Sequence, residues 1–233
     1  MKLDLALVMP VYNEEECIGE VVESWHRELS GLGIAFQMLV LNDGSKDGTA
    51  GRLAAFEGRP GLRVINKANS GHGPTILLGY RMAVAEAEWV FQTDSDDEMK
   101  PEQFGSLWQR RNDYDALFGW RQGRQQGVGR RLISAVSRQA VALLFSRGVL
   151  DVNTPFRLMR SEKLREILPR IPENTFAPNL IISGMLAKMG ARIYNHPVPH
   201  LGRRTGSVSI VRWKLWKAAF RALAQTIRIA LRS

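Results

Sequence analysis

Strand-like and helix-like segments alternate through the first 120 residues of this 233-residue chain, and this alternation constrains the fold more than any other feature. Short apolar runs that are typical of strands are each followed by a segment with helical periodicity. The pattern predicts an α/β fold, with a mostly parallel sheet and helices on both of its faces. The predicted strands are Leu3–Met9, Phe36–Leu41, Leu62–Ile65, Glu88–Thr93 and Asp115–Trp120, and the predicted helices are Glu14–Leu29, Gly48–Phe56, Pro74–Ala87 and Pro101–Arg111.

The second half of the chain gives weaker signals of the same kind. We expect one domain over residues 1–211, with halves at 1–120 and 121–211, followed by a helix over 212–233. No apolar run approaches 18 residues, so no transmembrane helix is predicted, and the start of the chain is interpreted as a first strand rather than a secretory signal. The elements predicted here are a helix at Arg131–Arg147, a strand at Asp151–Arg160 that passes the site, a helix at Thr175–Met189 and a strand at Ala191–Asn195.

Each of the first four predicted strands is followed by a cluster of polar residues. Because the carboxyl ends of parallel strands meet at one edge of a sheet, and ligands bind beyond that edge, the four clusters together predict a binding site. The clusters are Tyr12-Asn13-Glu14, Asn42-Asp43-Gly44-Ser45, Asn69-Ser70-Gly71-His72-Gly73 and Asp94-Ser95-Asp96.

The last of these clusters points to a metal ion. In extended chain alternate side chains point the same way, so Asp94 and Asp96 present two carboxylates on one side of a strand end. Mg²⁺ and Mn²⁺ accept such oxygen ligands, and phosphates or water supply the remaining ligands. A cation held there can neutralise the charge on a leaving diphosphate. The alternative is an acidic turn that caps the helix starting near Pro101.

Charge is distributed unevenly along the chain. Residues 1–115 carry 11 Lys and Arg against 19 Asp and Glu, whereas residues 116–233 carry 21 against 4. A basic second half indicates an anionic partner such as a phosphate or an acidic lipid, or else a solvated basic face. No helix-turn-helix, zinc-finger spacing or aromatic RNA-binding signature supports nucleic-acid binding. A single cysteine, Cys17, excludes an internal disulfide and fits a reducing cytosol.

Three motifs together resemble those of the family-2 inverting glycosyltransferases of GT-A fold, in order and in spacing. They are Val8-Met9-Pro10-Val11-Tyr12-Asn13-Glu14-Glu15, Asn42-Asp43-Gly44-Ser45-x-Asp47-x-Thr49 and the Asp94-x-Asp96 strand end. Four weaker motifs resemble the polyprenyl-phosphate branch of that family, which includes dolichyl-phosphate mannose synthase. These are Phe118-Gly119-Trp120-Arg121, Arg130-Arg131-Leu132-Ile133-Ser134, Asp151-x-x-x-Pro155-Phe156-Arg157-Leu158 and the segment from Arg203 through Gly206 and beyond it.

The resemblance implies a nucleotide-sugar donor, UDP- or GDP-hexose, and a Mg²⁺ or Mn²⁺ cofactor. Pro10 and Tyr12 are expected to wall a slot for the base, and Glu14 and Asp43 to accept hydrogen bonds from the base or ribose. Asp43 has a second interpretation as the residue of an Asx turn. Asp94 and Asp96 are expected to bridge the cation to phosphate oxygens. Where the family commonly has Gln, this chain has Glu98, which is a candidate third metal ligand.

The identity of the acceptor depends on whether a general base is present. Transfer to a hydroxyl needs a carboxylate to take its proton, and family members with sugar acceptors usually carry an acid near the start of the helix that here begins around Thr175. No acid stands there in this chain. A phosphate acceptor is already ionised and needs only cations. The resemblance implies Arg121, Arg130 and Ser134 as its ligands, with Asp96 and Arg203 assisting departure of the nucleotide diphosphate.

The final helix carries an apolar stripe flanked by Lys and Arg, a pattern typical of a helix lying in a membrane interface. Docking on its own domain or on a second subunit is the alternative. The stripe consists of Trp213, Trp216, Phe220, Leu223, Ile227 and Leu231, and the flanking cations are Lys214, Lys217, Arg221, Arg228 and Arg232.

The sequence therefore predicts a metal-dependent inverting glycosyltransferase, peripheral on the cytoplasmic face of a membrane, that moves a hexose to a polyprenyl phosphate. One rival is transfer to a sugar hydroxyl of a glycan or glycolipid, with Asp151 or Glu173 as the base. A second is a non-catalytic membrane-binding protein on a transferase scaffold.

Overall fold

The computed structural model describes residues 2–122 and 148–199, together with positions 139, 225 and 227. The strands of this part are β1 (Leu3–Val11), β2 (Phe36–Asp43), β3 (Leu62–Lys67), β4 (Ala87–Gln92), β5 (Ala116–Gln122), β6 (Arg157–Arg160) and β7 (Ile193–Pro199). Its α-helices are α1 (Ile18–Gly31), α2 (Thr49–Ala54), α3 (His72–Glu86), α4 (Phe104–Gln109), α5 (Ser161–Ile167) and α6 (Pro178–Lys188). Short 3-10 helices cover Pro101–Gln103, Arg111–Asp113 and Leu168–Arg170.

The strands form one sheet in the order β3-β2-β1-β4-β6-β5-β7. Strands β3, β2, β1 and β4 are parallel, β6 is antiparallel to both of its neighbours, and β5 and β7 again pair in parallel. The predicted α/β fold with a mostly parallel sheet is confirmed. After β1 the chain adds β2 and β3 on one side and then β4 on the other, so the connections change direction between β1 and β4. That position is where open α/β sheets bind their ligands.

The two faces of the sheet bury separate apolar layers, and the period of two along β1 decides which residue joins which layer. Ala6 and Val8 pack beneath α3, α5 and α6, whereas Leu5 and Leu7 pack beneath α1, α2 and α4. All four side chains are fully buried. Helices therefore cover both faces, as the alternation of segments predicts.

Helix α3 lies very close to the centre of the sheet. A Cβ atom added at Gly79 would come within 3.0 Å of the Val8 side chain, so glycine at this position permits the close approach. The approach fixes the height of α3 over β1, and thereby the position of its first turn beside the ends of β1 and β4.

One predicted strand is wrong over most of its length. Residues 151–156 are not a strand, and the pairing begins only at Arg157. The Thr154 N–H donates to the Asp151 carbonyl at 3.2 Å in a turn, and Pro155 has no N–H to give to a ladder. The other described boundaries shift by a few residues. The two largest shifts are at the start of α1, which is at Ile18 rather than Glu14, and at the end of β7, which is at Pro199 rather than Asn195.

Several predicted elements lie outside the described residues. These are most of the helix at Arg131–Arg147 and nearly all of the final helix, of which Gln225 and Ile227 are described and helical. Among the described residues, no helix combines the length and the apolar character needed to cross a bilayer.

Candidate active site

A cavity of about 410 Å³ opens at the carboxyl ends of β1, β2 and β4, beside the first turn of α3. It contains residues from all four polar clusters, so the structure brings together what the sequence separates by more than 80 positions. Its volume is within the usual range for small-molecule sites. The residues lining it are Pro10, Val11, Tyr12, Glu14, Asp43, Asn69, Gly71, His72, Thr75, Asp94, Ser95 and Asp96.

The loops after β1 and β2 are locked together by hydrogen bonds between their motif residues. The backbone N–H of Asn13 donates to Ser45 Oγ at 3.0 Å, and the Lys46 N–H donates to Asn13 Oδ1 at 2.8 Å. Asn13 has φ of +55°, a left-handed conformation that Asn tolerates better than most residues. These contacts hold Tyr12 at the rim of the cavity, where it is 39% exposed.

A second set of bonds fixes the next residues of the same loops. The Glu14 N–H donates to Thr49 Oγ1 at 2.8 Å, and the Gly48 N–H donates to Glu15 Oε2 at 2.6 Å. Asp47 Oδ1 accepts from the Thr49 N–H at 3.1 Å, in an Asx turn that leads into α2. Glu15, Asp47 and Thr49 therefore act as structural parts of the motifs, and Glu14 faces the cavity as a result.

Asp43 joins the end of β2 to the loop that leads into α3. Its Oδ1 accepts from the Ser70 N–H at 2.8 Å and from Lys67 Nζ, and its Oδ2 accepts from the Gly71 N–H at 2.9 Å. Asn69 Nδ2 also donates to the Asp43 carbonyl at 2.8 Å. The Asx-turn interpretation is wrong for Asp43, because the Ser45 N–H donates to Asn42 Oδ1 at 3.2 Å. The Asp43 carboxylate instead organises the loop at 69–71 while it lines the cavity, and its role as a ligand acceptor stays a prediction.

Burial raises the pKa of Asp43, but the hydrogen bonds from Lys67 and the Ser70 N–H outweigh it and hold that pKa below its usual value. The group is therefore a carboxylate at neutral pH. A carboxylate offers about four lone-pair positions, and Oδ2 uses one of them to accept the Gly71 N–H. Asp43 can accept one further hydrogen bond from a ligand in the cavity.

Asp94 and Asp96 lie at the end of β4, and both line the cavity. Asp94 Oδ1 accepts from Gln92 Nε2 at 3.3 Å and lies 3.8 Å from His72 Nε2. Asp96 Oδ1 accepts from the Glu98 N–H at 3.3 Å. The intervening Asp97 has φ of +57°, so the chain turns sharply directly after the pair. The two carboxylates face one space although the strand itself ends at Gln92.

The predicted third metal ligand, Glu98, stands beside the pair and donates its backbone N–H to Asp96 Oδ1. Glu98 does not line the cavity, and no group of three His, Cys, Asp or Glu side chains among the described residues could hold a metal ion. Two carboxylates that line one cavity are the ligands a cation such as Mg²⁺ would take there, with substrate oxygens or water completing its shell. The role of Glu98 remains a prediction.

Sequence reasoning missed a layer of buried polar side chains beneath Asp94. The Tyr80 hydroxyl and Asn179 Nδ2 each donate to Gln92 Oε1 at 2.7 Å, and all three residues are at most 4% exposed. Asn179 occupies the start of α6, the region in which the sequence has no acid that could serve as a general base. A Gln at the end of the apolar run Trp89-Val90-Phe91 is the signal that could have revealed the layer.

The first turn of α3 is pressed against the loop that precedes α6. A Cβ atom added at Gly73 would come within 3.0 Å of the carbonyl oxygens of Thr175 and Phe176. Gly71 has φ of +94°, and both it and His72 line the cavity. The loop at 175–176 therefore supports one wall of the site.

The predicted acceptor ligands are mostly outside the described residues. Arg130, Ser134 and Arg203 are not described, nor is the side chain of Arg121. The backbone of Arg121 belongs to β5, which runs parallel to β1. Arg121 therefore stands near the carboxyl end of its strand, at the same edge of the sheet as the cavity.

Comparison with known protein families gives a match over most of the chain. The model described as "Glycosyl transferase family 2" matches residues 6–168. That span includes every residue that lines the cavity.

Curated relatives share about a quarter of their residues with the chain. An undecaprenyl-phosphate 4-deoxy-4-formamido-L-arabinose transferase of Edwardsiella ictaluri is 26% identical over 206 residues, which is 87% of this chain and 61% of the relative. The enzyme of the same name from Pseudomonas paraeruginosa is 29% identical over 180 residues, 76% of this chain and 52% of the relative. An uncharacterized glycosyltransferase of Synechocystis is 27% identical over 94% of this chain and 68% of its own length. The chain thus spans about three fifths of the first of these relatives.

Solved structures share the fold. Glucosyl-3-phosphoglycerate synthase of Mycobacterium tuberculosis, in complex with Mn²⁺, UDP and phosphoglyceric acid, has a TM-score of 0.73 at 18% identity, covering 98% of this chain and 78% of that one. Residues 1–349 of TarS of S. aureus, in complex with UDP-GlcNAc, have a TM-score of 0.62 at 20% identity, covering 96% of this chain and 66% of that one.

Proposed function

This chain belongs to glycosyl transferase family 2, and from that premise we propose that it transfers a hexose from a nucleotide-sugar donor to a polyprenyl phosphate at a membrane surface. The observation that carries the proposal is the cavity in which the Asp94 and Asp96 carboxylates face the walls formed by Tyr12 and Asp43. A nucleotide diphosphate needs these groups together: a flat wall and a hydrogen-bond acceptor for the nucleoside, and carboxylates to hold a cation at the phosphates.

The donor half of the cavity suits a nucleoside. Pro10 and the half-exposed ring of Tyr12 form an apolar wall against which a base can lie. Asp43 and Glu14 supply acceptors for an N–H of the base or a hydroxyl of the ribose. Asp43 is prepared for this role because Lys67, Ser70 and Gly71 already fix its carboxylate. Because the Asp43 carboxylate is already oriented, little side-chain entropy is lost when a ligand binds to it.

The diphosphate half suits a divalent cation held by Asp94 and Asp96. A cation bound by the pair supplies charge neutralisation for the nucleotide diphosphate as it departs. The residues themselves orient two hard oxygen ligands toward the cavity and leave the other coordination positions to the donor phosphates. A solved relative of the same fold contains Mn²⁺ and UDP, which supports this assignment.

A phosphate acceptor fits the acids that are present. The acids that line the cavity among the described residues are Glu14, Asp43, Asp94 and Asp96, and all have donor-side roles in this proposal. At the start of α6 the chain has Asn179, whose amide is bonded to Gln92. An ionised phosphate oxygen can attack the anomeric carbon without losing a proton to a base. Curated relatives named for undecaprenyl phosphate support this acceptor class.

The two described positions of the final segment agree with a helix that lies between the domain and a membrane. Gln225 is bonded to the loop before α6, while Ile227 is 39% exposed. Positions two residues apart on a helix differ by about 200°, so they occupy nearly opposite faces. Ile227 belongs to the predicted apolar stripe, and its face is the one that would enter the membrane interface.

The experiment is a transfer assay with radiolabelled UDP- and GDP-hexoses, offered either undecaprenyl phosphate in vesicles or soluble glycans. We expect transfer to the lipid phosphate, dependent on Mg²⁺ or Mn²⁺ and abolished by EDTA. Transfer to glycans alone would contradict the acceptor, and equal activity in EDTA would contradict the metal.

Variants test the site directly. Asp96→Ala is expected to lower turnover by at least about 10³-fold, because it removes a cation ligand at the leaving group. Asp113→Ala, an exposed acid far from the cavity, is the matched control and should retain full activity. If both variants are equally active, the strand-end pair is not the reaction centre.

A further inference from the structure

The buried layer beneath the cavity has a geometry that determines how Asp94 is oriented. Gln92 is fully buried, and its side-chain amide lies between two donors on one side and one acceptor on the other. The donors are the Tyr80 hydroxyl and Asn179 Nδ2, each 2.7 Å from Gln92 Oε1. Asn179 Oδ1 lies farther from the same hydroxyl, at 3.1 Å, so the single hydroxyl hydrogen points to the nearer Gln92 oxygen. The acceptor is Asp94 Oδ1, 3.3 Å from Gln92 Nε2.

These neighbours allow the Gln92 amide one orientation. If the amide were reversed, its NH₂ group would face the NH₂ group of Asn179, and its oxygen would face the Asp94 carboxylate. Both encounters are repulsive, and the first would leave buried N–H groups without an acceptor. Tyr80 and Asn179 therefore direct the Gln92 N–H toward Asp94.

The two outer partners are themselves fixed. The backbone carbonyl oxygen of Asn179 accepts a hydrogen bond from Arg157 Nη1 at 3.1 Å, and this bond holds the first turn of α6 in place. Tyr80 is fully buried on α3, and burial raises the pKa of its hydroxyl far above the usual value, so it remains a donor at every working pH. The layer thus joins α3, α6 and β4 at one point directly under the strand-end carboxylates.

We propose that Gln92, Tyr80 and Asn179 are positioning residues that hold the Asp94 carboxylate in the orientation needed to bind a divalent cation. The inference rests on the proposed function, because it assigns Asp94 to the cation. A carboxylate ligand loses orientation when its hydrogen-bond partner is removed, and such partners typically contribute about 10–100-fold in metal affinity or activity.

The test uses two variants. Gln92→Met keeps a similar side-chain volume but can neither donate to Asp94 nor accept from Tyr80 and Asn179. Tyr80→Phe keeps the ring and removes one donor to Gln92. Ser183→Ala is the control, since Ser183 is also buried and donates to the Val152 carbonyl at 3.0 Å, with no hydrogen bond to Gln92 or Asp94. Its Oγ also accepts from Arg157 Nη2 at 3.3 Å, but Arg157 holds Asn179 through Nη1, a bond that the control leaves in place. The measurement is Mn²⁺ affinity by titration calorimetry on the full chain with saturating UDP, accompanied by melting temperatures.

We expect Gln92→Met to weaken Mn²⁺ binding about tenfold or more, Tyr80→Phe to weaken it less, and Ser183→Ala to leave it unchanged. In assays the KM for Mn²⁺ should rise while the KM for the lipid phosphate stays constant, a split that general destabilisation would not produce. Should Gln92→Met fail to fold, the comparison of Tyr80→Phe with Ser183→Ala decides in its place. Wild-type Mn²⁺ affinity in the folded positioning variants would overturn the inference.

A further variant separates this inference from the proposed function. Asp94→Asn should lose most of the Mn²⁺ affinity. If it does and Gln92→Met does not, only the positioning role is wrong. If Asp94→Asn binds Mn²⁺ like the wild type, the metal site itself is wrong and the inference falls with it.

Discussion

Gln225 and Phe176 are joined by a hydrogen bond across 49 residues of sequence, in which the Phe176 backbone N–H donates to Gln225 Oε1 at 2.9 Å. Gln225 Nε2 also donates to the Asn174 carbonyl at 3.5 Å, so one side chain satisfies both ends of the loop before α6. The same loop presses its carbonyl oxygens against Gly73 in the first turn of α3. The final segment of the chain therefore contacts the loop at 174–176 through Gln225, and that loop in turn packs against the wall of the cavity at Gly73.

The Gly73 contact gives the first prediction. Gly73→Ala should lower the free energy of unfolding by about 1–3 kcal/mol, because the new methyl group forces the α3 turn away from the loop at 175–176. Displacement of that turn moves Gly71 and His72, so UDP affinity should fall as well. Urea unfolding and UDP titration measure the two effects.

The control for Gly73 is Gly51→Ala in α2. Gly51 is also helical, and a Cβ atom there meets nothing within 4 Å. Removing a glycine from a helix at an open position should stabilise the protein by about 0.4–1 kcal/mol. Equal stability changes in the two variants would show that the contact with the loop carries no strain.

Asp43 gives the second prediction, which concerns pH. Asp43→Asn should cost about 2–4 kcal/mol of unfolding free energy at pH 7, because it leaves Lys67 without its carboxylate in a setting where the lysine side chain is only 18% exposed. The pKa of Asp43 is lower in the folded protein than its ordinary value of 3.8. Its stabilisation is therefore complete above pH 3.8 and is lost as the pH falls through the folded-state pKa.

The measurement for Asp43 is denaturant unfolding of wild type and Asp43→Asn at pH 7, 5 and 3 and below. The difference between the two proteins should be constant from pH 7 to pH 5 and should shrink at lower pH. Comparison by difference removes the contribution of other carboxylates, such as Asp115, whose pKa is also lowered. A gap that persists unchanged at the lowest pH would contradict the assignment.

Most polar residues of the cavity were predictable from sequence because they stand at or just after the end of a strand of recognisable pattern. Asp94 and Asp96 follow Trp89-Val90-Phe91, and parallel topology then brings them to Tyr12 and Asp43 without any knowledge of side-chain contacts. Gln92 and Asn179 were not predictable in the same way. Their pairing spans 87 residues and depends on the height of α3 and α6 over the sheet, which local periodicity does not encode.

The strand assigned to Asp151–Arg160 failed for a related reason. Its apolar content resembles that of a strand. Val152, however, is buried although it lies in the turn at 151–154, and Phe156 is buried although it lies just after that turn. Burial alone does not distinguish a strand from a packed turn, and Pro155 was the local signal against the strand.

The acids that line the cavity among the described residues all have donor-side roles in the proposed function, and this gives the third prediction. Asp151→Asn and Glu173→Gln should each retain at least about half of the wild-type turnover, because a phosphate acceptor needs no proton removed. The Glu173 side chain is 88% exposed and pairs with Arg81 at 3.6 Å, away from the cavity. Steady-state assays with saturating donor measure turnover. A loss of about 10²-fold in either variant, with normal UDP binding, would match removal of a general base and would favour a hydroxyl acceptor.

The last prediction concerns the segment at residues 212–233, which lies almost entirely outside the described residues. Its predicted stripe should enter the headgroup boundary at roughly 25 cal/mol per Å² of buried apolar surface, and each nearby Lys or Arg should add about 1 kcal/mol on an anionic leaflet. The full chain should therefore sediment with acidic vesicles, and salt should weaken the electrostatic contribution alone.

Ile227→Glu should release the protein into the supernatant, because it places a charge on the exposed face of the helix. Gln225→Ala, on the opposite face, is the matched control and should still sediment while its loop contact to Phe176 is lost. If the full chain remains in the supernatant at low salt with anionic lipid, the segment packs against protein and the membrane placement is wrong.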